Sequence, residues 1–176
     1  ARALATGRVA WGEHMAIVTN GGGAGVMTTD KLTDPKRGVG LKLAKLKKKT
    51  EEELTKYLPP FAISHNPVDL TGSATPEMYK HALEITAEDE DVDGIIVIPL
   101  IQPPSMNETI VEIVDEVYQK TEKPILAAAT GGKPTQKILL ELEERGIPAY
   151  PEVERAVKAM KALVDRGKIL RRRKHN

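Results

Sequence analysis

The sequence predicts an α/β fold: a flavodoxin-like or Rossmann-like three-layer domain with a mainly parallel sheet of five to six strands. Three observations predict it. Short apolar runs alternate with longer stretches of helical periodicity, the pattern of parallel strands joined by right-handed helical crossovers. One run, Gly-Ile-Ile-Val-Ile at 94–98, has no polar side chain, as expected of a strand covered on both faces. The first run, Met-Ala-Ile-Val at 15–18, leads at once into Asn20, Gly21, Gly22, Gly23, Ala24 and Gly25, after which Val26 and Met27 begin a stretch able to wind as a helix. Strand, glycine-rich turn and helix together aim backbone N–H groups and a positive helix end at an anion. Glycine also lets a ligand approach the backbone closely. Residues 20–25 therefore read as a phosphoryl-binding turn.

Taken in order, residues 1–6 read as the end of an upstream helix and 7–13 as a linker, since a chain opening on Ala1 looks like a piece of a longer polypeptide. Residues 14–167 then form the domain, and 168–176 a basic tail. Asp34-Pro35 ends the first helix, because proline restricts the residue before it. Residues 41–46 alternate apolar side chains with lysine and predict a short strand near an edge. Thr50-Glu51-Glu52-Glu53 is a capping-box start for a helix running to Leu58. Phe61-Ala62-Ile63 is a strand candidate ending in His65-Asn66-Pro67-Val68-Asp69. Thr75-Pro76 opens a helix with Met78, Ala82 and Ile85 on one face.

After the strand at 94–98, the loop 99–104 leads into a second capping box, Ser105 to Glu108, and Ile110, Ile113, Val114 and Val117 stripe the next helix. A buried strand follows at 124–128. The turn 130–134 then opens a helix that Arg145-Gly146 stops. Pro148-Ala149-Tyr150 is a short last strand. The final helix covers 151–166, with Val153, Val157, Met160 and Val164 inward and Gly167 as its cap.

Composition narrows the function. With 176 residues, 40% of them hydrophobic, the chain can build one domain with a real core, and no apolar stretch approaches the length of a membrane span. The N-terminus has no apolar signal-peptide region, and the absence of cysteine excludes disulfides and thiolate metal sites; both fit a cytoplasmic protein. A net charge of +1 gives no general reason to invoke nucleic acid, and aromatics at 3% leave little for stacking on bases or a flavin.

In an open parallel sheet, ligands sit beyond the carboxyl ends of the strands. Four unusual loops fall there: 20–25, 66–74, 99–105 and 130–134. Each alone reads equally well as a tight turn, and the signal lies in their convergence. Familiar phosphate motifs do not match. A dinucleotide fingerprint on Gly21 and Gly23 requires Gly or Ala at 26, where Val26 stands, and no acidic residue ends a clear second strand. The P-loop pattern does not occur, and flavin binding would rest on fold alone. The turn suits a phosphoryl group better than a nucleotide.

These segments carry a family resemblance. Ile17 to Met27 (I-V-T-N-G-G-G-A-G-V-M), Leu58-Pro59-Pro60 and Asn66-Pro67-Val68-Asp69-Leu70-Thr71-Gly72 resemble the nucleoside-diphosphate-forming acyl-CoA synthetases. The likeness is to the acetate–CoA ligase (ADP-forming) branch of the succinyl-CoA synthetase superfamily. It continues through Asp93 to Val97, Lys123 to Leu126, Gly131-Gly132, Gly146-Ile147-Pro148 and Pro151 to Val157, covering nearly all of 14–166 in order. The matching part is the C-terminal flavodoxin-like domain of the α subunit or of a fused chain. The resemblance implies conversion of acyl-CoA, ADP and phosphate to acid, ATP and CoA through an acyl phosphate and a phosphohistidine. It places that histidine, the CoA site and the nucleotide site on other domains, the last an ATP-grasp subunit or domain, with Mg expected in the complete enzyme.

For this chain the resemblance implies no catalytic residue and no cofactor of its own, but a helix N-terminus facing the phosphohistidine, matched by Asn20 to Gly25. It also implies a second loop bordering the site: Asn66, Asp69, Gly72, Ser73 and Ala74. Asp69 reads either as orienting a histidine or backbone partner or as an Asx residue capping its own loop. Gln102, Gly131 and Gly132 are candidates for a substrate pocket, and Gln102 and Ser105 read equally as loop structure.

Among the histidines, His65 is the one beside this region and reads as a surface or supporting residue. His14, His81 and His175 read as solvated, and no pair has metal-ligand spacing. The run Arg171-Arg172-Arg173-Lys174 reads as a solvated end, without the aromatics of a nucleic-acid surface. The alternative function is a non-catalytic ligase-like module in a regulatory or acyltransferase fusion. A freestanding nucleotide or flavin binder is the weaker third.

Overall fold

The computed structural model describes residues 1–174. These residues form six strands, all paired in parallel, and seven helices. Strand β1 (His14–Thr19) lies beside the whole of β4 (Gly94–Ile98), from Met15 opposite Gly94 to Thr19 opposite Ile98. Beyond β4 come β5 (Ile125–Ala128) and β6 (Ala149–Tyr150). Two short strands share the other edge of β1: β2 (Lys42–Leu43) pairs with His14 and Met15, and β3 (Val68–Asp69) with Val18 and Thr19. Counting β2 and β3 as one position, the order is 2-1-3-4-5, the flavodoxin arrangement. Its topological switch point lies between β1 and β4.

Helices cover both faces. On one face α2 (Gly22–Thr33) and the short α1 (Arg2–Ala5) pack against α7 (Val153–Lys174). On the other, α3 (Lys48–Tyr57), α4 (Pro76–Glu88), α5 (Thr109–Lys120) and α6 (Lys133–Glu144) stand side by side. The pleat of β1 divides its residues accordingly. Met15 and Ile17 join Leu32, Met160 and Leu163, whereas Ala16 and Val18 join Leu54, Leu83 and Val114. Each large aliphatic side chain so buried contributes about 1.5–3 kcal/mol against exposure.

Several elements form as the sequence predicts. Thr75 caps α4, its hydroxyl accepting the Met78 N–H at 3.3 Å ahead of Pro76, and Gly146 ends α6 in a left-handed conformation at φ 81°. Others differ. Helix α2 starts at Gly22, four residues before Val26, so the glycines are its first turn rather than a loop before it. The predicted strand at 61–63 is absent: Phe61 is 68% exposed, and only Ile63 bridges to Asp69, antiparallel. The strand forms instead at Val68–Asp69, inside the stretch read as loop, where it pairs with the upper half of β1 and buries Val68. The predicted strand at 41–46 shrinks to Lys42–Leu43.

Neither capping box forms. Thr50 lies inside α3, whose capping residue is Lys47, and its hydroxyl turns to Asp89. Asp89 caps the helix from across the chain, accepting the Lys47 N–H at 2.8 Å. Burial favours the neutral acid, but the hydrogen bonds from Thr50 and from the Lys47 and Asp91 amides outweigh it and hold the Asp89 carboxyl below its usual range. Ser105 does not cap α5; Glu108 holds that position and Asn107 accepts the Thr109 N–H at 3.0 Å. The inner face of α4 is Tyr79, Ala82, Leu83 and Thr86, with Met78 and Ile85 at its margin.

Gly167 is not a stop, because α7 runs through it to Lys174. A Cβ there would overlap the Ala10 carbonyl oxygen, so the glycine marks where the N-terminal segment crosses the helix. Arg166 donating to the Leu4 carbonyl at 2.7 Å and the Lys168–Glu13 ion pair hold that segment in place. Among the described residues, no helix is long and apolar enough to cross a membrane, and no group of His, Asp or Glu side chains could hold a metal ion.

Candidate functional site

The site lies at the carboxyl edge of the sheet, over the β1–β4 switch point. Its centre is the first turn of α2. Gly21 is the capping residue, and its carbonyl accepts the N–H groups of Ala24 at 2.9 Å and Gly25 at 3.1 Å. The Gly22 and Gly23 N–H groups, in the first turn, have no preceding carbonyl within the helix to bond and form its positive end. The glycines differ in what surrounds them. A Cβ on Gly21 would overlap Leu100, one on Gly22 would lie 2.8 Å from Asp69 Oδ2, and one on Gly25 would touch Thr19 and Pro67. A Cβ on Gly23 would meet nothing within 4 Å. Gly23 is the open face of the turn.

Beneath it lies a buried polar network. The Asn20 side chain, 3% exposed, pairs with the backbone of Leu100: Nδ2 donates to its carbonyl at 2.8 Å and Oδ1 accepts its N–H at 2.8 Å. Tyr79, on α4 and fully buried, has its hydroxyl 2.9 Å from Asn20 Oδ1 and 2.8 Å from the Ile98 carbonyl oxygen. Burial, reinforced by the nearby Asp69 charge and only partly offset by the contact with Asn20, pushes the Tyr79 hydroxyl well above its usual pKa and keeps it a donor. Thr19 Oγ1 accepts the Gly21 N–H at 3.1 Å. The Asn20 side chain is therefore committed to holding the loop, and the donors that face outward are backbone groups.

The second loop divides. Asn66 does not border the site: its Oδ1 accepts the Ile17 N–H at 2.9 Å and its Nδ2 donates to the Met15 and Ala44 carbonyls at 2.8 and 3.0 Å. It fills the gap between β2 and β3 on the edge of β1 as a strand residue would. The peptide bond that follows it, to Pro67, is cis. Asp69 does reach the site. Oδ1 accepts the Thr71 N–H at 2.9 Å, an Asx turn, while Oδ2 lies beside Gly22. Thr71, which sequence reading passed over, has φ 66°, rare for a β-branched residue, and its hydroxyl pairs with that of Ser73 at 3.1 Å. Gly72 and Ser73 are exposed; Ala74 turns into the core.

The third and fourth loops meet at Gln102, whose Nε2 donates to the Thr130 carbonyl at 3.3 Å and lies against Gly131. Gly132 caps α6, and Ser105 sits in the turn closed by the Met106 N–H and the Pro103 carbonyl. Asp69, Gly22, Gly21, Leu100, Gln102 and Gly131 thus form one rim. Tyr79 is the residue that the sequence missed. Its signal was an aromatic with a polar tip, one position off the predicted stripe of α4. His65 is exposed and His14 lies 3.4 Å from Asp93. His81 stacks on Tyr57 with ring centroids 4.0 Å apart and so is not simply solvated. His175 lies outside the described residues.

The chain is similar to known proteins over most of its length. Over 163 residues the chain is 40% identical to the acetate–CoA ligase [ADP-forming] II subunit alpha of Pyrococcus furiosus, a match spanning 89% of this chain and 34% of that protein. A solved structure from Pyrococcus horikoshii OT3 superposes with a TM-score of 0.88 at 38% identity, covering 96% of this chain and 38% of the other. The dinucleotide-forming acetyl-coenzyme A synthetase 1 of Ca. Korarchaeum cryptofilum, solved with phosphate and ADP, superposes with a TM-score of 0.83 at 32% identity, covering 92% of this chain and 34% of the other. The chain thus spans about a third of the length of these relatives. The model of the Ligase-CoA domain family matches residues 15–168, and the chain belongs to that family.

Proposed function

We propose that this chain is a domain of an ADP-forming acyl-CoA synthetase, which converts acyl-CoA, ADP and phosphate to acid, ATP and CoA, and that its part is to present the α2 N-terminus to a phosphorylated histidine of a neighbouring domain. The observation that carries this is the bare first turn of α2, open at Gly23 and braced from below. The Gly22 and Gly23 amides and the helix dipole stabilise a phosphoryl dianion, and because they are fixed beforehand they need no reorganisation as charge develops.

Asp69 sets the direction of approach. Its carboxylate beside Gly22 repels a dianion from that side and leaves the Gly23 side for the phosphoryl group. The same carboxylate suits an imidazole N–H. CoA, nucleotide and Mg are held by the other domains of a cytoplasmic assembly that includes an ATP-grasp part. Gln102, Gly131 and Gly132 border the far side of the rim as pocket residues.

The test is Gly23→Leu in the full-length parent assembled with its nucleotide-binding partner. A Cβ on Gly23 meets nothing within 4 Å and the residue is exposed, so the domain is expected to fold while the side chain covers the helix end. Phosphate-dependent ATP formation from acyl-CoA is expected to fall by about a hundredfold or more, the scale of losing oxyanion-type donors, with the unfolding midpoint not lowered. Undiminished turnover in this variant rules the reading out. An intact wild-type assembly without turnover on any acyl-CoA points to the non-catalytic module.

A further inference from the structure

Tyr79 lies on α4, on the opposite face of the sheet from α2, yet its hydroxyl reaches the switch point through the core. A phenylalanine of the same shape would fill that space without burying a hydroxyl, and burying a polar group is costly unless it is hydrogen-bonded. What the hydroxyl adds is a fixed relation between three elements. It bonds toward the Ile98 carbonyl at the end of β4 and toward Asn20 at the end of β1, and Asn20 in turn holds both backbone groups of Leu100. Leu100 then fills the space where a Cβ of Gly21 would stand. A shift of the loop after β4 is therefore passed directly to the capping residue of α2.

We propose that Tyr79 is a positioning residue for the helix end: through Asn20 and Leu100 its hydroxyl fixes Gly21 and so sets the direction of the Gly22 and Gly23 amides. This rests on the ligase reading for what those amides hold, and on the hydrogen bonds alone for the positioning itself. Small displacements of preorganised donors carry large rate penalties, because the donors act only when aligned with the developing charge.

The experiment is Tyr79→Phe in the full-length parent assembled with its partner, with two readouts. Amide hydrogen exchange is followed in the segments 20–25 and 98–102, and kcat and KM for acyl-CoA are measured per folded enzyme, well below the unfolding midpoint. Loss of one buried hydrogen bond should speed exchange in both segments and lower kcat by about tenfold, with KM changed less than about twofold. Unchanged exchange in either segment overturns the proposal. Faster exchange with kcat unaltered also overturns it, since a merely structural hydroxyl would lower the midpoint and leave turnover per folded enzyme intact. If the wild-type assembly shows no phosphate-dependent turnover, the ligase reading fails separately, and exchange still decides the positioning: faster exchange confined to 20–25 and 98–102 supports it, while unaltered exchange there, or exchange speeded equally throughout the core, overturns it.

Discussion

Helices α2 and α6 begin alike. Each follows a buried strand of the same sheet, each has glycine as its capping residue, and both open at the carboxyl edge. Their surroundings differ. The start of α2 stands on the buried side chains of Thr19, Asn20 and Tyr79, every polar atom of that network being partnered. The start of α6 is exposed, tied by Gln102 to Thr130 and by the Thr130 hydroxyl to the Pro151 carbonyl at 3.2 Å. A glycine-rich turn is made rigid by what lies under it. The place where that support is available is the switch point, where the chain leaves β1 and β4 toward opposite faces of the sheet.

Substitutions at the two helix starts test this contrast. The largest effect is expected for Asn20→Ala, which leaves the Leu100 N–H and carbonyl without their side-chain partner and the Tyr79 hydroxyl with the Ile98 carbonyl alone; denaturant unfolding should show a loss of about 2–4 kcal/mol. If that variant is as stable as wild type, α2 is no better supported than α6. Gly131→Ala comes next. Its Cβ would overlap Thr135 Oγ1 and press on Gln102, so a loss of about 1–2 kcal/mol is expected from the same measurement. Gly23→Ala should act in the opposite direction, raising stability by about 0.5–1 kcal/mol because alanine is the better helix former and meets no neighbour. An equal gain at Gly21, where Leu100 occupies the Cβ position, would show that the buried support gives way easily. The smallest effect belongs to Gln102→Ala, whose single exposed bond should contribute less than about 0.5 kcal/mol.

The contrast also explains which sequence expectations carried through. Apolar runs such as 94–98 and 125–128 became strands because two covered faces leave no polar position, and that pattern is local. Asn20 and Asn66 could not be told apart that way. Both were read as site residues, yet one pins the loop after β4 and the other completes the edge of β1. An asparagine side chain imitates a peptide group, and which backbone it imitates depends on neighbours distant in sequence. Thr50 and Ser105 fit a capping pattern, but the helices start at other residues, where Asp89 and Asn107 accept the Lys47 and Thr109 amides.

The sequence by itself determined the α/β class, the order of the elements and the edge of the sheet where glycine-rich loops gather, since each follows from periodicity, turn residues and the handedness of crossovers. It also carried the resemblance that the family match bears out. Only the tertiary structure decided that the glycines form the first turn of α2, that Gly23 alone among Gly21, Gly22, Gly23 and Gly25 faces open space, and that Tyr79 braces the turn from across the sheet. The reason is physical. Periodicity reports which face of an element is buried, whereas partners for a buried amide or hydroxyl are chosen by three-dimensional proximity between residues as far apart as 20, 79 and 100.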